Sequence, residues 1–162
     1  MINEERVQYL NKYINMCLKN DVFPGCVYTL INDSNVLIKE FGYAPLVPKE
    51  RHMKKNTIFD LASLTKVIAT TTSTMILIEN GELRLNTSLK DILPNYPFEN
   101  ITIKHLLTHT AGYPPEPDYR GCSNREQIIN QLYRTNYSSG AFEKVVIYSD
   151  VGFMLLGLVI DK

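Results

Sequence analysis

Asp60-Leu-Ala-Ser63-Leu-Thr-Lys66 runs directly into Val67 to Glu79, a stretch almost free of charge that Asn80-Gly81 closes. The spacing of its apolar residues predicts a helix whose opening turn carries a hydroxyl and an amine three residues apart. Side chains at i and i+3 lie next to one another on a helix, so Ser63 and Lys66 are within reach of each other. A serine hydroxyl is a weak nucleophile until a neighbouring base takes its proton. The positive end of the helix dipole and desolvation by the apolar run both disfavour the ammonium form of Lys66, which makes it a candidate base. Exposed N–H groups of the same turn could steady a developing oxyanion. Leu64, Val67, Ile68, Thr71, Met75 and Ile78 form one stripe, and Ile76 and Leu77 carry apolar surface further round. The expectation is a central, buried helix.

Spacing alone carries little information. With eight serines and eleven lysines in 162 residues, about half a Ser-x-x-Lys match arises by chance, and an N-cap serine followed by a solvated lysine is the plainer reading. The totals narrow the field. Seventeen basic and seventeen acidic side chains leave no excess charge for nucleic acid or an anionic membrane, and 44% hydrophobic with 21% charged residues describes one globular unit. Met1-Ile-Asn-Glu-Glu-Arg6 carries acids where a secretory leader carries bases, so the expected location is cytoplasmic. Cys17, Cys26 and Cys122 are odd in number and irregularly spaced, which predicts reduced, mostly buried thiols and neither a disulfide framework nor a zinc site.

Along the chain, Val7, Leu10, Ile14, Cys17 and Leu18 predict an amphipathic helix over 3–20. Cys26 to Ile31 and Val36 to Tyr43, joined by Asn32-Asp-Ser-Asn35, predict a hairpin. A proline-punctuated basic loop, Pro45 to Asn56, leads to the Ser63 helix. Short helices are expected at Leu89–Leu93 and at Ile103–Thr108 behind Thr102, a further one at 124–134, and an apolar one at Val151–Ile160 opened by Ser149-Asp150. His105 and His109 are four apart, but the Glu of His-Glu-x-x-His is missing, so they are expected to bond backbone or face solvent and to hold no metal. Met75, Met154 and the tyrosines are most simply core. No run is long enough to span a bilayer, which takes about 20 residues.

Three segments now stand in order: Asp60-Leu-Ala-Ser63-Leu-Thr-Lys66, then Ile103-Lys-His-Leu-Leu-Thr-His-Thr-Ala-Gly112-Tyr113, then Tyr148-Ser-Asp150-Val-Gly-Phe-Met-Leu-Leu-Gly157. Together they closely resemble the class C β-lactamase and D-alanyl-D-alanine carboxypeptidase family of serine hydrolases, from about residue 24 to the last residue. The resemblance implies an α+β, β-lactamase/transpeptidase-like fold, a helical lobe beside an antiparallel sheet with the active site between them. On it, Ser63 is the acylated nucleophile, Lys66 helps take its proton and Tyr148 shuttles protons at the same hydroxyl. Asp150 stands at a substrate-binding position, and no cofactor or metal is implied. The implied substrate is a small peptide, an ester or a β-lactam. A tyrosine near pKa 10 serves as a base only if a cation lowers that value, and Lys66 is the one available.

Two departures bear on activity. The family pattern Tyr-x-Asn reads Tyr148-Ser-Asp150 here, and an ionised carboxylate only accepts hydrogen bonds where an amide also donates. Asp150 is therefore expected to pair with Lys66, favouring its charged form, or to mark a substrate unlike a peptide amide. In addition, no lysine in the 162 residues is followed by Ser or Thr and then Gly. The expectation is a single partial domain, residues 1–60 its helix and hairpin and 61–162 its mainly helical lobe, with the C-terminal strands missing. Such a chain is expected to be nearly inactive by itself, since losing one oxyanion donor already costs about 10² to 10³ in rate. It is also expected to self-associate through exposed hairpin edges. The alternative is a non-catalytic remnant, or a peptide-binding or structural module of the same fold.

Overall fold

The computed structural model describes residues 2–33, 35–45 and 47–162. The chain divides into two compact units, Met1–Asp60 and Leu61–Lys162.

In the first unit, helix α1 spans Glu4–Lys19. Asn3 caps it by accepting the Arg6 N–H at 3.1 Å, Glu4 and Glu5 sit at the positive end of the dipole, and Lys19 sits at the negative end. Its buried stripe is Val7, Ile14 and Cys17. Strands β1 (Gly25–Asn32) and β2 (Asn35–Gly42) pair antiparallel from Gly25↔Gly42 to Asn32↔Asn35. This is the predicted hairpin; Ser34 of its connection, Leu46 of the following loop and Met1 lie outside the described residues. The Tyr28 hydroxyl donates to Asn11 Oδ1 at 2.7 Å and fastens β1 to α1. Gly42 has φ +67°, and a β-carbon there would fall 2.3 Å from the Pro24 carbonyl oxygen, so only glycine lets the strand end pass so close.

The second unit is helical. A π-helical segment, Lys66–Thr71, continues into α2 (Thr72–Glu79). There follow α3 (Leu89–Ile92), α4 (Ile103–Leu107), α5 (Arg125–Arg134) and α6 (Asp150–Ile160). Side chains cap three of the starts: Ser88 for α3, Asn124 for α5 and, as the sequence led one to expect, Ser149 for α6. The core gathers Leu89, Ile101, Ile103, Leu106, Val151, Leu155 and Leu156 around Tyr96 and Tyr113, whose hydroxyls bond each other. That mutual bond satisfies two polar atoms that burial would otherwise strand. Among the described residues no helix is long and apolar enough to cross a membrane.

Three expectations are corrected. The Ser63 helix is not buried along its predicted stripe: Leu64, Val67, Ile68, Met75 and Ile76 are each more than half exposed, and the face turned inward carries Thr74, Leu77 and Ile78. Apolar residues occur all round this helix, so periodicity does not choose a side. The π-helical segment also adds a residue to one turn and rotates the remainder of the helix; Thr72 Oγ1, reaching back to the Val67 carbonyl at 3.0 Å, marks the wider turn. Met75 is accordingly not core. Of the three free thiols only Cys17 is buried.

Gly112, at φ +77°, stands where a β-carbon would meet the Ser138 carbonyl oxygen at 2.7 Å. Gly112→Ala is expected to destabilise the protein by about 1–3 kcal/mol, read as a lower urea midpoint with unchanged slope. Gly157→Ala on α6, where a methyl meets nothing within 4 Å, is expected to be neutral or stabilising by up to ~1 kcal/mol.

Candidate functional site

The turn before the π-helical segment explains how Ser63 and Lys66 meet. Ala62 has a left-handed backbone, φ 44°. Leu64, Thr65 and Lys66 then donate to carbonyls three residues back, those of Leu61, Ala62 and Ser63, at 2.9, 3.0 and 3.1 Å. Bonds of this 3₁₀ type stack side chains at i and i+3 over one another. Lys66 Nζ lies 3.5 Å from Ser63 Oγ.

The remaining groups arrive from the start of α6 and the loop before it. The Ile147 N–H donates to the His109 carbonyl at 2.9 Å, the Ser149 N–H to His109 Nδ1 at 3.1 Å, and the Asp150 N–H to the Pro115 carbonyl at 2.7 Å. Ser149 Oγ donates to the Pro114 carbonyl at 2.6 Å. Residues 147–150 are thus strapped to the loop after α4. Asp150 Oδ1 comes to 2.5 Å from Lys66 Nζ, and the ammonium lies 4.9 Å from the Tyr148 ring centroid and 5.8 Å from that of Phe153. Both distances suit a cation over an aromatic face. The Tyr148 hydroxyl lies close enough to Ser63 and Lys66 for both to act on its titration.

All four residues singled out from the sequence, Ser63, Lys66, Tyr148 and Asp150, therefore share one cluster. Its electrostatics weigh two expectations for Lys66 against each other. Burial is the largest influence on Lys66 and lowers it, but the hydrogen bonds and charges of Asp150 and Tyr148 together outweigh burial and hold the amine above its ordinary value. The expected pairing with Asp150 thus favours the charged form of Lys66 over the freed amine that its place on the helix alone suggests. The phenol of Tyr148 moves the other way: the bond from Ser63, then the bond and charge of Lys66, hold it below its ordinary value. Burial and then the charge of Lys66 push His109 down, against the pull of Asp150.

Both histidines bond backbone. His105 Nδ1 accepts the Thr102 N–H at 3.2 Å, completing the capping box of α4, and its Nε2 faces Glu143 Oε1 at 2.9 Å. Among the described residues no group of three or more His, Cys, Asp or Glu side chains could hold a metal ion. Sequence reasoning passed over His109 and Phe153 as members of the cluster. The available signal was His109 standing directly after a short helix, at the place where glycine is the usual stop.

The family profile described as Beta-lactamase matches residues 10–162. Penicillin-binding protein 4* of Bacillus subtilis (strain 168) is 35% identical over 152 residues, covering 86% of this chain and 32% of that protein. The N-acetylmuramyl-L-alanine amidase of the same organism is 27% identical, covering all of this chain and 43% of that protein. The crystal structure of a class C β-lactamase superposes with a TM-score of 0.80 at 22% identity, over 98% of this chain and 45% of that one. The chain spans less than half the length of each of these three proteins.

A raised Lys66 contributes stability that is complete below its ordinary value of 10.5 and is lost as pH rises through the higher folded value. Asp150→Asn removes the largest group opposing burial. The Lys66 titration, followed by ¹³Cε NMR, is expected to move down, and the alkaline loss of stability to begin at lower pH.

Proposed function

The chain belongs to the Beta-lactamase family, and from that premise we propose that its Ser63 cluster is a serine acyl-transfer site acting on a small amide, ester or β-lactam carbonyl. The observation that carries this reading is the single position of Lys66 Nζ, 3.5 Å from Ser63 Oγ, 2.5 Å from Asp150 Oδ1 and over the Tyr148 ring. The ammonium stabilises negative charge on Tyr148, so its phenolate form, favoured by the lowered value, is the group able to take the Ser63 proton. Ser63 Oγ then bonds to the substrate carbonyl carbon. The bond to the leaving nitrogen or oxygen breaks as Tyr148 returns the proton to it. Water then loses a proton to the Tyr148 phenolate and bonds to the acyl carbon, the bond to Ser63 Oγ breaks, and Tyr148 passes the proton to Oγ. Because Lys66 and Tyr148 interact strongly, the proton belongs to the pair rather than to either residue.

Asp150 bears on the substrate. Its ionised carboxylate accepts hydrogen bonds only, so it favours a donor, an amide N–H or an ammonium, over a bare carbonyl at that position. The name of the Bacillus subtilis relative, a penicillin-binding protein, supports including a β-lactam among the ligands. A second reading, a binding module of the same fold without turnover, is favoured by the Lys66–Asp150 ion pair, which ties up the amine.

Incubation with a fluorophosphonate or a penicillin, followed by intact-mass and peptide mass spectrometry, is expected to place one adduct on Ser63. Ser63→Ala should abolish it, and Tyr148→Phe should slow it by about 10² to 10⁴. No adduct at millimolar reagent, with binding of penicillin still measurable by calorimetry, would transfer support to the binding module.

A further inference from the structure

We propose that His109 is a positioning residue, holding Tyr148 against Ser63 and Lys66 by gripping the backbone on both sides of the phenol and packing its ring on the phenol's own. The first ground is the backbone. Helix α4 ends in a Schellman motif: the Thr110 N–H donates to the His105 carbonyl at 2.9 Å and the His109 N–H to the Leu106 carbonyl at 3.3 Å. His109 takes the left-handed position of that motif, φ 58°. Glycine fills that position at no steric cost, and a residue with a β-carbon is strained there. Strain of this kind persists where a side chain has other work.

The second ground is what the side chain touches. The His109 carbonyl accepts the Ile147 N–H and its Nδ1 accepts the Ser149 N–H, so one residue holds both neighbours of Tyr148. Its ring centroid lies 4.6 Å from that of Tyr148 and 5.0 Å from that of Phe153, tilted by 37° and 34°. Phe153 also lines the ammonium of Lys66. A bond at Nδ1 from a backbone donor requires the neutral ring with its proton on Nε2. The surroundings favour that form: burial and the Lys66 charge act against protonation, while Asp150 acts for it. The other titratable groups beside it are Tyr148 and, around the small gap between α4 and α6, His105 and Tyr113.

The rate part of this proposal rests on the acyl-transfer reading; the placement of Tyr148 does not. His109→Gly relieves the backbone and removes both the ring and the acceptor. His109→Asn keeps an acceptor and tolerates the left-handed backbone but has no ring. In the ¹³Cζ-tyrosine-labelled full chain, with Tyr148→Phe identifying the resonance, His109→Gly is expected to move the Tyr148 titration up toward the ordinary 10.0, and His109→Asn to move it up by less. Ser63 labelling by a fluorophosphonate should slow by about 10- to 100-fold in His109→Gly, the scale of a misplaced reacting group. A residue that merely ended the helix would be replaced by glycine with no such change. Should His109→Gly fail to give a native circular dichroism spectrum, an upward shift in folded His109→Asn supports the proposal. Titration of Tyr148 as in the parent, in every folded variant, overturns it. If the parent chain takes no label at Ser63, the acyl-transfer reading fails, and the Tyr148 titration alone decides the role of His109.

Discussion

An ammonium taken largely out of water must find acceptors and counter-charge or give up its proton, and Lys66 finds them on every side that matters. Its side chain is only 13% exposed. Asp150 supplies a full negative charge, the hydroxyl of Ser63 supplies a lone pair, and the rings of Tyr148 and Phe153 supply their negative faces. These partners come from segments more than eighty residues apart in sequence. The charge therefore ties the turn at 61–66 to the start of α6, and the geometry of each depends on the other. Truncating Asp150 would leave the charge under-compensated, which is why its loss is felt first at the amine.

The strap between the loop after α4 and residues 147–150 lets that arrangement persist. Four backbone and side-chain bonds cross it, from Ile147, Ser149 and Asp150 to His109, Pro114 and Pro115. Two of the acceptors are proline carbonyls, at 114 and 115, where the chain cannot continue a helix and the carbonyls stay free for the strap. Tyr148 is the residue of this segment left to project outward, and it projects onto Lys66. A half-exposed phenol, on a segment fixed at both flanks, keeps a defined place beside Lys66 without being buried.

Local chemistry was legible in the sequence wherever one residue decides an outcome. Thr102 and Ser149 stand before apolar runs and open their helices, and the predicted hairpin pairs as far as Asn32↔Asn35. The family resemblance brought Ser63, Lys66, Tyr148 and Asp150 together before any coordinates did. The features that escaped were decided by competition. The side of α2 that turns inward depends on which neighbour covers it, and a helix apolar all round does not say; the wide turn at Lys66–Thr71 has no sequence mark. The charge state of Lys66 depended on weighing burial against Asp150. Position on a helix gives only the first of these.

That balance also decides which group can move a proton. A neutral amide at position 150 would leave burial and the helix terminus to lower the amine, and Lys66 would be the natural base. A carboxylate there fixes the amine as a cation. A fixed cation lowers its neighbour instead, and the phenol beside it is Tyr148, its ring centroid 4.9 Å from the ammonium. On the proposed reading the base is then the phenolate of Tyr148, and the lysine acts through its charge alone. Such a division asks more of geometry than of titration: a phenol is useful only while it stays in register with both the ammonium and the Ser63 hydroxyl. The strained histidine beside it, and the bonds that hold its flanking residues, are where that requirement is visible in the structure.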